Sequence, residues 1–179
     1  MPIRYRRAHM QIVVLALIAA ACVAMLVASQ VRAPLVIFNG SASAPAGFYY
    51  LENRLPARGE IAAVAAPAAV ELMIAAYGVL KPGLPLIKRI AAVGGDEVCR
   101  FDEPTGTLSI NGKVVAEVLE TDRKGRRLPY WEGCIRLVEG EFFLLQPHPH
   151  SFDSRYFGPV MKCDILGTAR PIWTWGPDR

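Results

Sequence analysis

Three short segments carry side chains capable of chemistry. In Asn39-Gly-Ser41-Ala-Ser43-Ala-Pro45-Ala-Gly47, two hydroxyls lie among small residues, which allow a substrate backbone to approach closely. The same composition also suits a linker. In Leu84-Pro-Leu-Ile-Lys88-Arg89-Ile-Ala-Ala-Val93-Gly94-Gly95-Asp96, a lysine interrupts an apolar run. Burial penalises an ammonium and lowers its pKa from about 10.4, and a lysine neutral near pH 7 accepts a proton from a serine hydroxyl. The competing reading is a lysine that snorkels to solvent while Arg89 points to the opposite face. The third segment is His148-Pro-His150-Ser151-Phe-Asp153-Ser-Arg155-Tyr-Phe-Gly158-Pro159. Asp153 and Arg155 can pair within a loop, with aromatic residues packed around them. Ser/Lys chemistry needs no histidine, and His148 and His150, each beside a proline, read as surface-loop residues.

The elements that must position these groups are mostly strands. Residues 86–93 form an apolar strand pattern, Gly94-Gly95-Asp96 a turn, and 97–101 a further strand. Asn111-Gly112 between 107–110 and 113–116 is the strongest short-range hairpin signal. Further strands are predicted over 47–51, 60–64, 135–138, 141–145 and 164–175, and 125–129 is a charged surface loop. Pro67 opens a helix over 68–80, where Ala, Leu, Met and Ile favour one. The fold class predicted is mainly β, an antiparallel domain with one short helix.

With 179 residues, 53% apolar and 20% charged, the chain is neither a disordered tail nor a large multidomain enzyme. Met10 to Val31 is a run of 22 residues without charge, preceded by Arg4, Arg6 and Arg7. As a helix it reaches roughly 30 Å, enough to cross a bilayer core, and the arginines hold its near side in the cytoplasm. Residues 1–31 are therefore expected to be a cytoplasmic tail and transmembrane anchor, and 32–179 an exported domain. A cleaved signal with its cut near Ala28-Ser29-Gln30 is the alternative, although the run exceeds the usual apolar core of about 7–15 residues. A second span over 61–80 would hold Glu71 near its centre, at about 2.5–3.5 kcal/mol, and contains Pro67 and Gly78. An apolar helix packed on the domain or lying on lipid is expected instead. Beyond residue 31 the chain has 17 basic and 16 acidic residues, so its overall charge of +4 owes much to the arginines and no nucleic-acid partner is expected. Cys22 lies in the apolar run. Cys99, Cys134 and Cys163 lie in the exported part, where one disulfide can persist and one thiol must remain. Zinc held by these cysteines with His148 or His150 is disfavoured, because paired Cys-x-x-Cys spacing is missing.

Together and in this order, the anchor, the serine segment at 39–47, the Lys88-Arg89 segment ending in Gly95-Asp96, and Asp153-Ser-Arg-Tyr-Phe-Gly158 resemble the signal peptidase I family of Ser/Lys membrane peptidases, most closely its TraF-type conjugative-transfer branch. The resemblance covers nearly the whole chain. It implies Ser43 as nucleophile, Lys88 as general base, and an oxyanion hole formed by the Ser41 hydroxyl and the Ser43 backbone N–H. It further implies that Ser151 orients the lysine, that Asp153 and Arg155 form a supporting ion pair, and that Cys99 and Cys134 form a disulfide. No cofactor or metal is called for. Ser43-Ala44-Pro45 is one residue shorter than the general family's Ser-Met-x-Pro, which leaves Ser41 as the competing nucleophile, and Gly94 stands where a proline is common. The function implied is cleavage, and possible cyclisation, of a membrane-tethered precursor such as a conjugative pilin, by an enzyme anchored in the bacterial inner-membrane bilayer and facing the periplasm. The alternatives are a general signal peptidase I and a non-catalytic assembly factor. An inactive homologue would typically lose Ser43 or Lys88, and both are present.

Overall fold

The computed structural model describes residues 10, 12–23, 36–41, 44–81, 83–101 and 106–175. The chain divides into two compact units, Met1–Pro34 and Leu35–Arg179. In the first, residues 12–23 form helix α1 with every residue exposed. Among the described residues no helix is long and apolar enough to cross a membrane. Much of the expected span at 10–31, namely residue 11 and residues 24–31, lies outside the described residues.

The second unit is built on two antiparallel sheets. Strands β1 (Val36–Asn39), β2 (Ala46–Glu52), β3 (Ile61–Val64), β4 (Leu86–Val93), β9 (Glu141–Leu144), β10 (Val160–Met161) and β11 (Ile165–Trp175) form a seven-stranded sheet in the order β1-β2-β11-β3-β4-β9-β10. The smaller sheet has the order β7-β6-β5-β8, from β5 (Glu97–Phe101), β6 (Thr107–Ile110), β7 (Lys113–Glu117) and β8 (Gly133–Arg136). Helix α2 (Ala68–Tyr77) buries Val70 and Ile74 in the core, while Leu72 faces outward. The stretch 61–80 is thus divided between a strand and a packed helix rather than forming one span. Fully buried Val64, Ile90, Phe143 and Leu144 lie at the centre of the core, joined by Val98 and Leu108 of the smaller sheet.

Several boundaries differ from the sequence expectation for local reasons. Helix α2 stops at Tyr77, three residues early, because Gly78 adopts the left-handed conformation at φ 63°. Its N–H then bonds Ala75 O, and Val79 N–H bonds Ile74 O, which closes the helix end. The strand expected over 135–138 lies two residues earlier, where Cys134 faces Cys99 in register and bonds to it as a disulfide. The expectation of one short helix is corrected by a second, α3 (Ser154–Phe157). Four residues are too few to show a helical period, although its N-cap Asp153, which accepts from Arg155 N–H at 3.3 Å, is a readable start signal. Strand β1 was not expected at all; its alternating burial covers only four residues.

The turn between β4 and β5 ties the sheets together. The Asp96 carboxylate accepts from Val93 N–H at 2.8 Å, from Asn111 Nδ2 at 2.8 Å, and from Arg58 at 2.7 Å. Asn111 at φ 49° and Gly112 at φ 77° make the tight β6–β7 turn that Asn-Gly foretells.

Candidate active site

The serine segment is the loop joining β1 to β2. Asn39 and Gly47 close the hairpin as a register pair, leaving 40–45 as the connection. Asn39 is buried at the end of β1, and its side chain works on both ends of the loop. Its Oδ1 accepts from Ser41 N–H at 3.0 Å and Ser41 Oγ–H at 2.7 Å, while its Nδ2 donates to Ala44 O at 3.2 Å and Pro45 O at 3.1 Å. The buried Tyr49 hydroxyl donates to the same Pro45 carbonyl at 2.7 Å. Ser41 is half-buried, and Ser43 lies outside the described residues. The small size of Gly47 serves the packing of the sheet. At φ 148° its missing side chain admits β11, and a Cβ there would stand 2.2 Å from Trp173 O.

Lys88 is the third residue of β4, opposite Ala62 of β3 and on the same face as Leu86 and Ile90. Only 4% of it is exposed, so it does not snorkel. Its Nζ donates to Ser151 Oγ at 2.8 Å, across 63 residues of sequence. Burial pushes the amine down to about 8, with Asp153 opposing the shift and Arg155 adding to it. Arg89 projects to the other face and donates to Gly59 O at 2.7 Å.

Ser151, Asp153 and Arg155 are all at most 1% exposed. Arg155 grips Asp153 through two bonds, Nε to Oδ1 at 2.8 Å and Nη2 to Oδ2 at 3.1 Å. The guanidinium also donates to Gln146 O at 2.7 Å and Glu117 O at 3.1 Å, and Gln146 N–H donates to Asp153 Oδ2 at 3.1 Å. Both charges are therefore buried with their hydrogen-bonding capacity used, the condition under which a buried ion pair is tolerated. His148 and His150 lie near each other in the preceding loop, their rings tilted by 53° with centroids 5.9 Å apart. Cys163 is exposed. The one cluster of potential metal ligands among the described residues is Glu97, Cys99 and Cys134, and both of its sulfurs are in the disulfide.

The structure thus joins Lys88 to Ser151 and Asp153 to Arg155, and ties Ser41 to Asn39. A buried amine with a pKa near neutrality, oriented by a hydroxyl, can accept a proton from an alcohol nucleophile. Sequence reasoning assigned no role to Asn39, Tyr49, Gln146 or Arg100. Arg100 is 2% exposed and reaches from β5 to Arg155 O at 3.1 Å, with the Tyr130 ring centroid 4.8 Å from its guanidinium. The asparagine two residues before Ser41 was readable as a cap for the serine loop. Arg100 acts across 55 residues of sequence, and Tyr49 and Gln146, with partners four to nine residues away, belong to no motif that marks them.

Comparison with known proteins finds relatives of this chain. The family profile described as signal peptidase, peptidase S26, matches residues 6–175. A conjugal transfer protein TraF of Agrobacterium fabrum is 36% identical over 108 residues, 56% of this chain and 58% of its own length. A second, from Agrobacterium tumefaciens, is 34% identical over 150 residues, 78% of this chain and 82% of its own length. A plasmid transfer protein TraF of Escherichia coli is 35% identical over 94 residues, 50% of this chain and 51% of its own length. The match therefore spans little more than half of two of these relatives and about four fifths of the third. A crystal structure of a signal peptidase I from Enterococcus faecalis superposes with TM-score 0.38 at 24% identity, covering 65% of this chain and 98% of that one. With a profile match over nearly its full length and TraF relatives at 34–36% identity, the chain belongs to the signal peptidase family, peptidase S26, in its TraF-type branch.

Proposed function

We propose that this protein is a membrane-anchored serine endopeptidase that matures an exported precursor of the conjugation apparatus, its most fitting substrate being a pilin subunit. The observation that carries the reading is the Lys88 amine, buried, hydrogen-bonded to Ser151 and held near a pKa of 8. Conjugal-transfer proteins among the relatives support the choice of substrate.

In this reading Ser43 Oγ attacks the carbonyl after a small residue in an extended substrate segment, and Lys88 Nζ takes the hydroxyl proton. Ser41 and backbone N–H groups stabilise the tetrahedral oxyanion. Collapse breaks the peptide bond, Lys88 returns the proton to the departing amine, and an acyl ester on Ser43 remains. Water resolves the ester to a linear product; the substrate's own amino terminus, if held at high effective concentration, resolves it to a cyclic one. Asp153 and Arg155 support the loop that carries Ser151. Residues 10–31 anchor the chain in a single pass, with residues 32–179 in the periplasm.

Incubating the purified full chain with a conjugative pilin precursor and weighing the products tests the reading. Cleavage by the wild type and none by Ser43→Ala is the supporting result. A cyclic product is lighter than the linear one by one water and resists amino-terminal sequencing. Intact precursor with the wild type removes the peptidase function. Loss in Ser41→Ala with activity retained in Ser43→Ala moves the nucleophile to Ser41. Reporter fusions after residues 55 and 110 should both be exported, and a cytoplasmic signal at 110 would defeat the mechanism.

A further inference from the structure

We infer that Asn39 is a positioning residue for the reaction, clamping both shoulders of the loop that carries Ser43 and holding the Ser41 hydroxyl proton until the oxyanion forms. The inference rests on the peptidase reading above and extends it to a residue outside the dyad.

The chemistry of the amide settles its orientation. Two of its neighbours, Ala44 O and Pro45 O, are carbonyls that only accept, so the –NH2 must face them. Its oxygen therefore faces Ser41, where the backbone N–H only donates. Because that oxygen cannot donate, the contact at 2.7 Å must be the Ser41 hydroxyl giving its single proton to Asn39 Oδ1. One buried side chain thus makes four bonds, two to Ser41 and one each to Ala44 and Pro45. The loop ends cannot separate or shift without breaking them. Tyr49, fully buried, fixes Pro45 O a second time, so the downstream shoulder is held from both strands of the hairpin.

The Ser41 hydroxyl has only one proton. While that proton points at Asn39 it is unavailable to an oxyanion, and a small rotation about the Cβ–Oγ bond redirects it. After rotation Asn39 Oδ1 still accepts from Ser41 N–H, so the backbone stays in place while the hydroxyl turns. The arrangement gives Ser41 a defined resting partner and a donor that engages only as negative charge develops, the kind of interaction that raises kcat rather than lowering KM.

The test compares Asn39→Ala, Asn39→Asp, Ser41→Ala and the double variant Asn39→Ala/Ser41→Ala in the full chain. The substrate is a fluorogenic extended peptide with Ala at the first and third positions before the cut. Asn39→Ala should lower kcat on the order of 100-fold with KM changed less than about threefold, the scale of a misplaced or missing oxyanion donor. Asp keeps both acceptor bonds to Ser41 and loses both donor bonds, so Asn39→Asp should recover about tenfold of that loss. In the Ser41→Ala background the Asn39→Ala change should cost several-fold less than in the wild type, because the two residues share one interaction. Hydrogen exchange at Ser41 N–H should accelerate in Asn39→Ala and stay protected in Asn39→Asp. An Asn39→Ala enzyme with wild-type kcat per folded molecule, or additive losses in the double variant, overturns the inference while leaving the peptidase reading in place. A wild type inert on both peptide and pilin precursor, with the exchange pattern as expected, overturns the peptidase reading and leaves the loop clamp standing.

Discussion

The two sheets hold themselves together by opposite means. Beside the seven-stranded sheet, Lys88 of β4 and the polar groups Gln146, Ser151, Asp153 and Arg155 of the segment after β9 are all at most 4% exposed and satisfy one another, Lys88 with Ser151 across 63 residues and the others within 146–155. The four-stranded sheet has an outer strand, β7, whose Lys113, Val114, Val115 and Glu117 are exposed, and it is held by a tight turn and a covalent bond. Buried polar groups are costly unless every partner is present, whereas a disulfide or an Asn-Gly turn acts almost independently of its surroundings. The buried Lys88–Ser151 pair therefore resides where stability is most fragile. Arg100 crosses this divide, rising from β5 beside Cys99 to hold the Arg155 carbonyl.

The largest effects should come from the polar cluster. Lys88→Met should reduce precursor cleavage by at least about a thousandfold, as loss of a catalytic base does. It should nonetheless leave the midpoint of urea unfolding at pH 7 unchanged or higher, because it removes a buried amine that prefers water. Asp153→Asn should cost about 3–5 kcal/mol in urea unfolding, since Arg155 is left as a buried charge without its counter-ion. A loss below about 1 kcal/mol would show that the ion pair adds little to this sheet.

Breaking the other sheet should spare the chemistry. Replacing both Cys99 and Cys134 with Ser should lower stability by about 4 kcal/mol in the chain-entropy picture. Cleavage per folded molecule should stay within about twofold. A large fall in cleavage at unchanged folding would mean that β5 transmits strain to the site through Arg100.

The next effect is set by pH. Because the Lys88 pKa is lowered to about 8, the pre-steady-state acylation rate should rise about tenfold per unit below that pH and level off above it. The stability effect has a definite sign. An amine whose folded pKa lies below its unfolded value binds more protons when unfolded, so its burial cost is fully present below about 8 and is relieved as the pH rises toward about 10.4. Urea titrations of the wild type and Lys88→Met across this range should converge as the pH rises. The smallest effect is Gly112→Ala, which forces a side chain into the left-handed turn at φ 77° and should cost about 1 kcal/mol without altering cleavage.

Much of the fold was legible wherever the signal was local. Strands β4, β5 and β6 fall where alternation and turn residues put them, and Asn111-Gly112 makes the expected hairpin. Strand β1 and helix α3 were not legible, because each has four residues and owes its conformation to neighbours: β1 to its pairing with β2, α3 to the cluster around Asp153. The packing of Gly47 against β11 was not legible, because Trp173 is more than a hundred residues away in the chain.

The sequence by itself determined which chemical groups were available, the order in which they occur and the family to which that order belongs, since these depend only on residue types and spacing. It also determined that Asp153 and Arg155, two residues apart, were within reach of each other. Only the tertiary structure decided that Lys88 is buried, that its amine meets Ser151 across 63 residues, and that Asn39 takes the Ser41 proton. The physical reason is that a pKa and a hydrogen-bond direction are properties of an environment. For Lys88 that environment is assembled from β3, β4 and the loop before α3, and no one of these carries it alone.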